Sequence, residues 1–187
     1  MAKVIYSDIT TPNGYPCDIM VSAVQKFIRR GETEKAVQAA YELYLQGEEM
    51  TEYLWKRLMV ISVEDVGLGN PMAAIMVNNL YEMSKHMNYP SGDYAMMFVQ
   101  AIRYMCNSDK ERGNCNLNSV MQRRIKRGDK LEIPEYVVDM HTQQGKDMGR
   151  DYMYFLDVAS QVNPEVNPDG NTWKEELREL IQEEMKK

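Results

Sequence analysis

Apolar side chains recur every three or four positions along most of this 187-residue chain, which is the spacing of an amphipathic helix. Strict alternation of apolar and polar positions, which is typical of a half-buried strand, is scarce. We therefore predict an all-α fold. Before residue 130, helices are expected at about 18–30, 33–46, 51–66, 71–87, 93–106 and 117–126.

The stretch SVEDVGLGNPMA, residues 62–73, separates the third and fourth predicted helices. Gly67 is suited to end a helix, and Asn70 is suited to cap the start of the next one. Pro71 then fits the first helical position, where its missing N–H costs nothing. The stretch is therefore predicted to be a joint between two helices.

Three segments follow from the distribution of prolines, glycines and charges. Residues 1–15 are predicted to be an irregular lead-in, residues 16–130 a multi-helix domain, and residues 131–187 a helical tail extension. In the tail, a helix is expected at about 148–161. A turn-rich stretch separates it from a charged helix at 172–187, where Thr172 and Glu175 form a capping box.

Composition limits which partners and which cellular compartment are expected. The net charge is −6 and the isoelectric point about 5.1, so any nucleic-acid contact requires a local basic patch. Three cysteines without a CxxC motif, together with no export signal, predict reduced thiols in the cytoplasm. No apolar run approaches the roughly 20 residues of a membrane span.

Several motifs resemble the C-terminal region of the replication-associated recombination protein A (MgsA) family of AAA+ ATPases, relatives of the Werner-helicase-interacting protein. The first is D-I-x-x-S-A-x-x-K-x-I-R at residues 18–29, followed by an alanine-rich helix. The second is R-L-x-x-I-S-x-E-D-V-G-L-x-x-P at residues 57–71, and FVQAIRYMC at 98–106 is similar to the family's next helix. The resemblance covers roughly residues 15–130.

The resemblance implies an all-helical domain related to the collar domains of clamp loaders. It also implies assembly into oligomers, tetramers in particular, and action at stalled or damaged replication forks. The chain has no G-x-x-x-x-G-K-S/T phosphate loop, so the family's ATPase chemistry is not carried over, and no cofactor is expected. A "PKSN"-like turn expected after the fifth helix is replaced by NSDKERGNCN, and the segment D-x-H-T-x-x-G-x-x-M-G-R resembles the tail of shorter family members.

Glu64 and Asp65 form an acidic pair at the end of the third predicted helix. Carboxylates there oppose the helix dipole and call for a compensating cation. Arg57 lies two helical turns earlier on the same face, which predicts an ion pair between Arg57 and Glu64. A basic residue from another helix or another subunit is the alternative partner, and a catalytic role for the two acids is a further alternative.

Arg123, Arg124, Lys126 and Arg127 place four positive charges within five residues. Such a cluster suits phosphate binding, because each neutralised phosphate releases a counterion. A solvated helix face is the alternative interpretation. Few aromatic residues are interleaved, so stacking on single-stranded bases is not expected.

Asp139 and His141 form an Asp-x-His pair that suits a metal ligand or a general acid–base pair. The chain has only two histidines, and no cysteine spacing completes a zinc site, so we expect a hydrogen bond that orders the tail.

We therefore expect a non-catalytic oligomerisation and interaction domain of DNA replication and repair, with DNA or a replication protein as partner. The alternatives are a small metal-assisted hydrolase that uses Asp139 and His141, and a regulator of a separate AAA+ ATPase.

Overall fold

A computed structural model describes residues 8–166 and 172–186 of the chain. Its α-helices are α1 (Cys17–Arg30), α2 (Thr33–Leu45), α3 (Glu48–Ile61), α4 (Ala73–Ser84), α5 (Gly92–Asn107), α6 (Gly113–Arg127), α7 (Gln143–Asp147), α8 (Tyr152–Tyr154) and α9 (Thr172–Glu184). Residues 8–166 and 172–186 contain no β-strand, and the all-α prediction is confirmed. Residues 1–7 of the predicted lead-in, 167–171 of the predicted linker and residue 187 lie outside the described part.

The chain divides into two compact units, one ending at Gly128 and the other beginning at Asp129. In the first unit, α1 packs along α2 and α4 packs along α5, while α3 contacts all four of these helices. Among the largest fully buried side chains, most come from α1, α2, α3 and α5, and α4 contributes Val77: the others include Ile28, Leu43, Leu54, Trp55, Leu58, Ile61, Phe98, Ile102 and Met105. This apolar core holds the helices together, because each contributes one apolar stripe to it.

The described part of the lead-in is tied to α2 by side-chain hydrogen bonds. Thr11 donates to Glu42 Oε2 at 2.8 Å, and Asn13 donates to Glu42 Oε1 at 2.7 Å. Glu42 is only 8% exposed, so these two bonds satisfy a carboxylate that water scarcely reaches.

The joint between α3 and α4 departs from the predicted continuous helix over 51–66. Regular α-helical bonding ends at Ile61, and Ser62–Val66 form a wider π-helical turn in which the Gly67 amide donates to Ser62 O. Gly67–Gly69 then form a 3₁₀ turn. Because the π turn and its glycine end leave the Asp65 and Val66 carbonyls without partners in the helix, the Glu111 amide bonds to both, at 3.2 and 3.0 Å.

The start of α4 also differs from the prediction, at Ala73 rather than Pro71. Asn70 Oδ1 does accept a bond from the Met72 amide at 3.2 Å, as a capping side chain would. The Asn70 amide group, however, donates to Tyr104 Oη and Ser108 Oγ at 3.0 and 2.9 Å. These bonds to α5 direct Asn70 toward its neighbour, and Pro71 and Met72 form a turn before the helix begins.

Apart from α9, the helices described in the second unit are short. The helix predicted over 148–161 is shorter, because α8 begins at Tyr152 and continues into a π-helical turn at Phe155–Ala159, while α7 precedes the predicted range. Gly149, with φ +69°, ends the α7 region in the left-handed conformation, and Asp151 then accepts from the Tyr154 amide at 2.9 Å. These two signals fall at the start of the predicted range and delay the helix until Tyr152.

Candidate functional site

Asp65 is the centre of a charge cluster that joins three segments of the first unit. Its side chain is fully buried. The Arg29 Nε of α1 donates to Asp65 Oδ1 at 2.6 Å, and Gln25 Nε2 donates to Oδ2 at 2.9 Å. Arg112, just before α6, brings its Nε within 3.1 Å of Oδ1 as an ion pair, although the N–H is not aligned for a hydrogen bond. The carboxylate therefore holds α1 and the start of α6 against the joint.

Glu64 shares the same two arginines and is only partly buried. Its Oε1 lies 3.3 Å from Arg112 Nη2 and 3.9 Å from Arg29 Nη2. The Asp65 carboxylate raises the pKa of Arg29, chiefly through their hydrogen bond. Both acids are thus neutralised inside one subunit, which explains how carboxylates are tolerated at this helix end.

Arg57 does not pair with Glu64 as the sequence led us to expect. Its Nη2 donates to Gln25 Oε1 at 2.6 Å, and Gln25 in turn donates to Asp65. The expectation assumed a regular α-helix from Arg57 to Glu64, but the π turn that begins at Ser62 has more residues per turn and rotates Glu64 off the Arg57 face. Arg57 therefore belongs to the same cluster through a glutamine.

The loop between α5 and α6 crosses the joint so closely that only glycine fits beneath it. A Cβ at Gly69 would lie 2.6 Å from the Asp109 carbonyl oxygen, and one at Gly67 would lie 2.4 Å from that of Glu111. Asn114, in the first turn of α6, donates to the Val63 carbonyl at 3.1 Å. The joint is therefore a platform that fixes where α6 begins.

Sequence reasoning did not identify Arg29, Gln25 or Arg112 as partners of the acidic pair. Arg29 lies in the motif that made the family recognisable, yet nothing local connects it to a carboxylate 36 positions later. Arg112 lies in the polar loop that departs from the family pattern, and its role depends on that loop folding back. Both pairings are long-range contacts, so periodicity and capping signals carry no information about them.

The basic cluster lies at the C-terminal end of α6. Arg123, Arg124, Lys126 and Arg127 are all exposed, and α6 has no buried residue among those described. Arg123 donates to the Ser119 carbonyl at 2.9 Å, which leaves further guanidinium N–H groups facing outward. Cations at this end of a helix also interact favourably with its dipole.

Asp139 and His141 do form a hydrogen-bonded pair. His141 Nδ1 lies 2.9 Å from Asp139 Oδ2, and the His141 amide donates to Asp139 Oδ1 at 3.0 Å. These bonds from His141 lower the pKa of the Asp139 carboxyl. The His141 ring also packs edge-on against Phe155, with ring centroids 5.0 Å apart.

The turn around this pair is packed as tightly as the joint between α3 and α4. A Cβ at Gly145 would lie 1.8 Å from the Asp139 carbonyl oxygen, and Thr142 caps α7 by accepting from the Gly145 amide. Arg150, which is almost buried, donates to the carbonyls of Glu135 and Val138 and lies over the Tyr154 ring.

Within residues 8–166 and 172–186, no three His, Cys, Asp or Glu side chains are grouped to hold a metal ion. In the same residues, no helix is long and apolar enough to cross a membrane.

This geometry defines the class of the protein. It is an all-helical domain whose helix joint is closed by ion pairs and which carries an exposed basic helix, α6. The family model described as "MgsA AAA+ ATPase C terminal" matches residues 8–181. The chain therefore belongs to this family, and the resemblance seen in the sequence is confirmed.

Two curated relatives match most of the chain at low identity. The chain is 27% identical over 137 residues to replication-associated recombination protein A of Bacillus subtilis (strain 168), covering 72% of this chain and 32% of the relative. It is 26% identical over 141 residues to the protein of the same name from Coxiella burnetii (strain RSA 493 / Nine Mile phase I), covering 74% of this chain and 31% of the relative. The chain thus spans about a third of the length of these relatives.

Proposed function

We propose that this chain is a non-catalytic oligomerisation and interaction domain that serves DNA replication and recombinational repair in the cytoplasm. The association with replication and recombination rests on the family and on the names of the two relatives. A homo-oligomer, with a tetramer favoured, follows from the family resemblance. Its partners are DNA, a replication or repair protein, or a separate AAA+ ATPase.

The observation that supports DNA contact is the contrast between the chain's two charge clusters. The joint's cations are engaged by Glu64 and Asp65, whereas Arg123, Arg124 and Lys126 extend from an exposed helix. In a chain of net charge −6, such a basic surface concentrates the attraction for phosphate in one place. The contact is directed at the DNA backbone and does not depend on base sequence.

Fluorescence anisotropy with labelled duplex and forked DNA at low salt tests this contact. We expect binding whose logarithm falls with log salt with a slope of about −0.9 for each phosphate neutralised, or about −3 to −4 for four contacts. Arg123→Glu combined with Arg124→Glu should abolish it. Arg103→Glu, an exposed arginine on α5, is the matched control and should have little effect. Equal binding by the double variant and the control would contradict the DNA assignment.

Light scattering at micromolar concentration tests self-assembly, and a monomer there would contradict it. Co-purification with an AAA+ ATPase that lacks this domain would instead support a regulatory role in a mixed oligomer. Both measurements use the full chain.

A metal-assisted hydrolase remains the second candidate, because the Asp139–His141 bond is one that a general acid–base pair makes. Elemental analysis of the purified protein and calorimetric titration with Zn²⁺ distinguish the two. The structural role predicts that His141→Ala lowers the unfolding temperature of the second unit and that no stoichiometric metal is present. A tightly bound metal lost in both Asp139→Asn and His141→Ala would favour the enzyme.

A further inference from the structure

α6 carries an exposed apolar stripe in addition to its cations. Leu117 is 60% exposed, Val120 is 42% exposed and Ile125 is 73% exposed, and Met121 lies between them. Positions 117, 121 and 125 follow one another on one side of a helix. The contacts that anchor α6 to the joint come from Asn114 and Cys115 in its first turn, so the exposed stripe begins beyond them.

The charge of α6 restricts what can cover this stripe. Residues Gly113–Arg127 contain four cations and no acidic side chain. Two copies of α6 would therefore repel one another if they paired directly. The complementary surface is an amphipathic helix that is apolar along one stripe and acidic beside it.

α9 has that chemistry. Its exposed apolar side chains, Trp173, Leu177 and Leu180, lie along one stripe. Five glutamates stand against one lysine and one arginine in Thr172–Glu184, which gives the helix a net charge of −3. At 1.5 Å per residue the 13 residues of α9 extend about 20 Å and the 15 of α6 about 22 Å, so the two stripes match in length.

The anchoring of α9 leaves its acidic flank open. Arg178 lies 2.6 Å from Asp157 Oδ1 in the same unit and 3.4 Å from Glu175, so this side of α9 is tied to its own unit. Glu176 and Glu183 are seven positions apart and border the apolar stripe on the side away from Arg178. Both are exposed.

We infer that the α6 stripe is a docking surface for α9 of a second copy of this chain. Arg123 and Arg124 of one copy then lie beside Glu176 and Glu183 of the other, around an apolar seam of Leu117, Ile125, Trp173 and Leu180. The inference rests on the self-assembly proposed above and names the surfaces that carry it. It also makes α9 and DNA competitors for the same arginines.

Substitutions in the apolar seam provide the first test. Leu117→Asp with Ile125→Asp leaves all four cations in place and should weaken association, measured by light scattering over a dilution series, by about tenfold or more. Ile75→Asp on α4, where the native side chain is 61% exposed, is the matched control and should have little effect. Since α6 has no buried residue, circular dichroism should show an unchanged fold.

A charge exchange tests whether the contact lies between copies. Variant X carries Arg123→Glu and Arg124→Glu, and variant Y carries Glu176→Lys and Glu183→Lys. Each alone brings like charges together and should assemble poorly. A mixture pairs the acidic α6 of X with the basic α9 of Y, and the native α6 of Y with the native α9 of X. Assembly should therefore return in the mixture. High salt should weaken this restored assembly, because it screens the charges that pair the two variants.

The outcomes separate the two proposals. A monomeric native chain would overturn the proposed self-assembly and this inference with it. A native oligomer that is unaffected by X, by Y and by the seam variant would overturn only the α6–α9 pairing. Variants that stay impaired when mixed would equally contradict docking between copies.

Discussion

The joint and α6 are both charged, but they differ in how completely the charges are buried and paired. At the joint, Asp65 is inaccessible to solvent and contacts Arg29, Arg112 and Gln25. On α6, the cations are exposed and none of the helix is buried within the described residues. A buried pair that loses one member leaves an unsatisfied charge, whereas an exposed cation loses little. The comparison teaches that the first cluster maintains the fold and the second is available to a partner.

Removal of the Asp65 carboxylate should have the largest effect on stability. Asp65→Ala leaves Arg29 and Arg112 without their buried partner and should lower the free energy of unfolding by about 3 kcal/mol, because breaking a buried pair costs about 3–5 kcal/mol and these arginines are partly exposed. Urea denaturation of the native chain and the variant measures this loss in the free energy of unfolding. Glu49→Ala, an exposed acid on α3, is the control and should change stability by less than about 0.5 kcal/mol. Similar losses in both variants would show that the buried carboxylate stabilises the fold no more than an exposed acid does.

Crowding the platform should have the next largest effect. Gly69→Ala places a Cβ against the backbone of Asp109 and Lys110, which must shift, at a cost of about 1–3 kcal/mol. Gly92→Ala, at the start of α5, meets no atom within 4 Å and should leave stability unchanged or slightly higher. The platform role predicts faster hydrogen exchange at the first turn of α6 in Gly69→Ala, and unchanged exchange there would contradict it.

The Asp139–His141 pair predicts a pH effect confined to the second unit. Because His141 lowers the pKa of Asp139 in the folded chain, the stability it contributes is present above the ordinary carboxyl pKa. That contribution is lost as the pH falls through the lowered pKa. Titration of the Asp139 carboxyl carbon by NMR should show this pKa returning toward its ordinary value in His141→Ala. An unchanged pKa would show that the pair does not form in solution.

Charge reversal on α6 should have the smallest effect on stability. Arg123→Glu with Arg124→Glu touches no buried group and should alter the free energy of unfolding by less than about 0.5 kcal/mol. DNA binding by the same protein should nevertheless be lost. A large loss of stability would mean that these arginines maintain the fold, and the contrast with the joint would disappear.

Much of the helical architecture can be predicted from local patterns in the sequence. Periodic apolar positions predicted α1, α2 and α5 to within about two residues, since each stripe packs into one core. The same reasoning overextended α3, because nothing local distinguishes a π turn at Ser62–Val66 from another turn of α-helix. It also began the tail helix at 148, whereas Gly149 and Asp151 delay its start to Tyr152.

For this protein the sequence by itself determined the all-α class, the family and the position of the joint, because periodicity, capping residues and motifs are properties of neighbouring residues. Only the tertiary structure decided which cations pair with Glu64 and Asp65. Arg29 and Arg112 reach them from 35 and 48 positions away, and Arg57, the neighbour on the chain, reaches them only through Gln25. Ion pairing depends on distance in space, and that distance is set by how α1, the joint and the loop before α6 pack together.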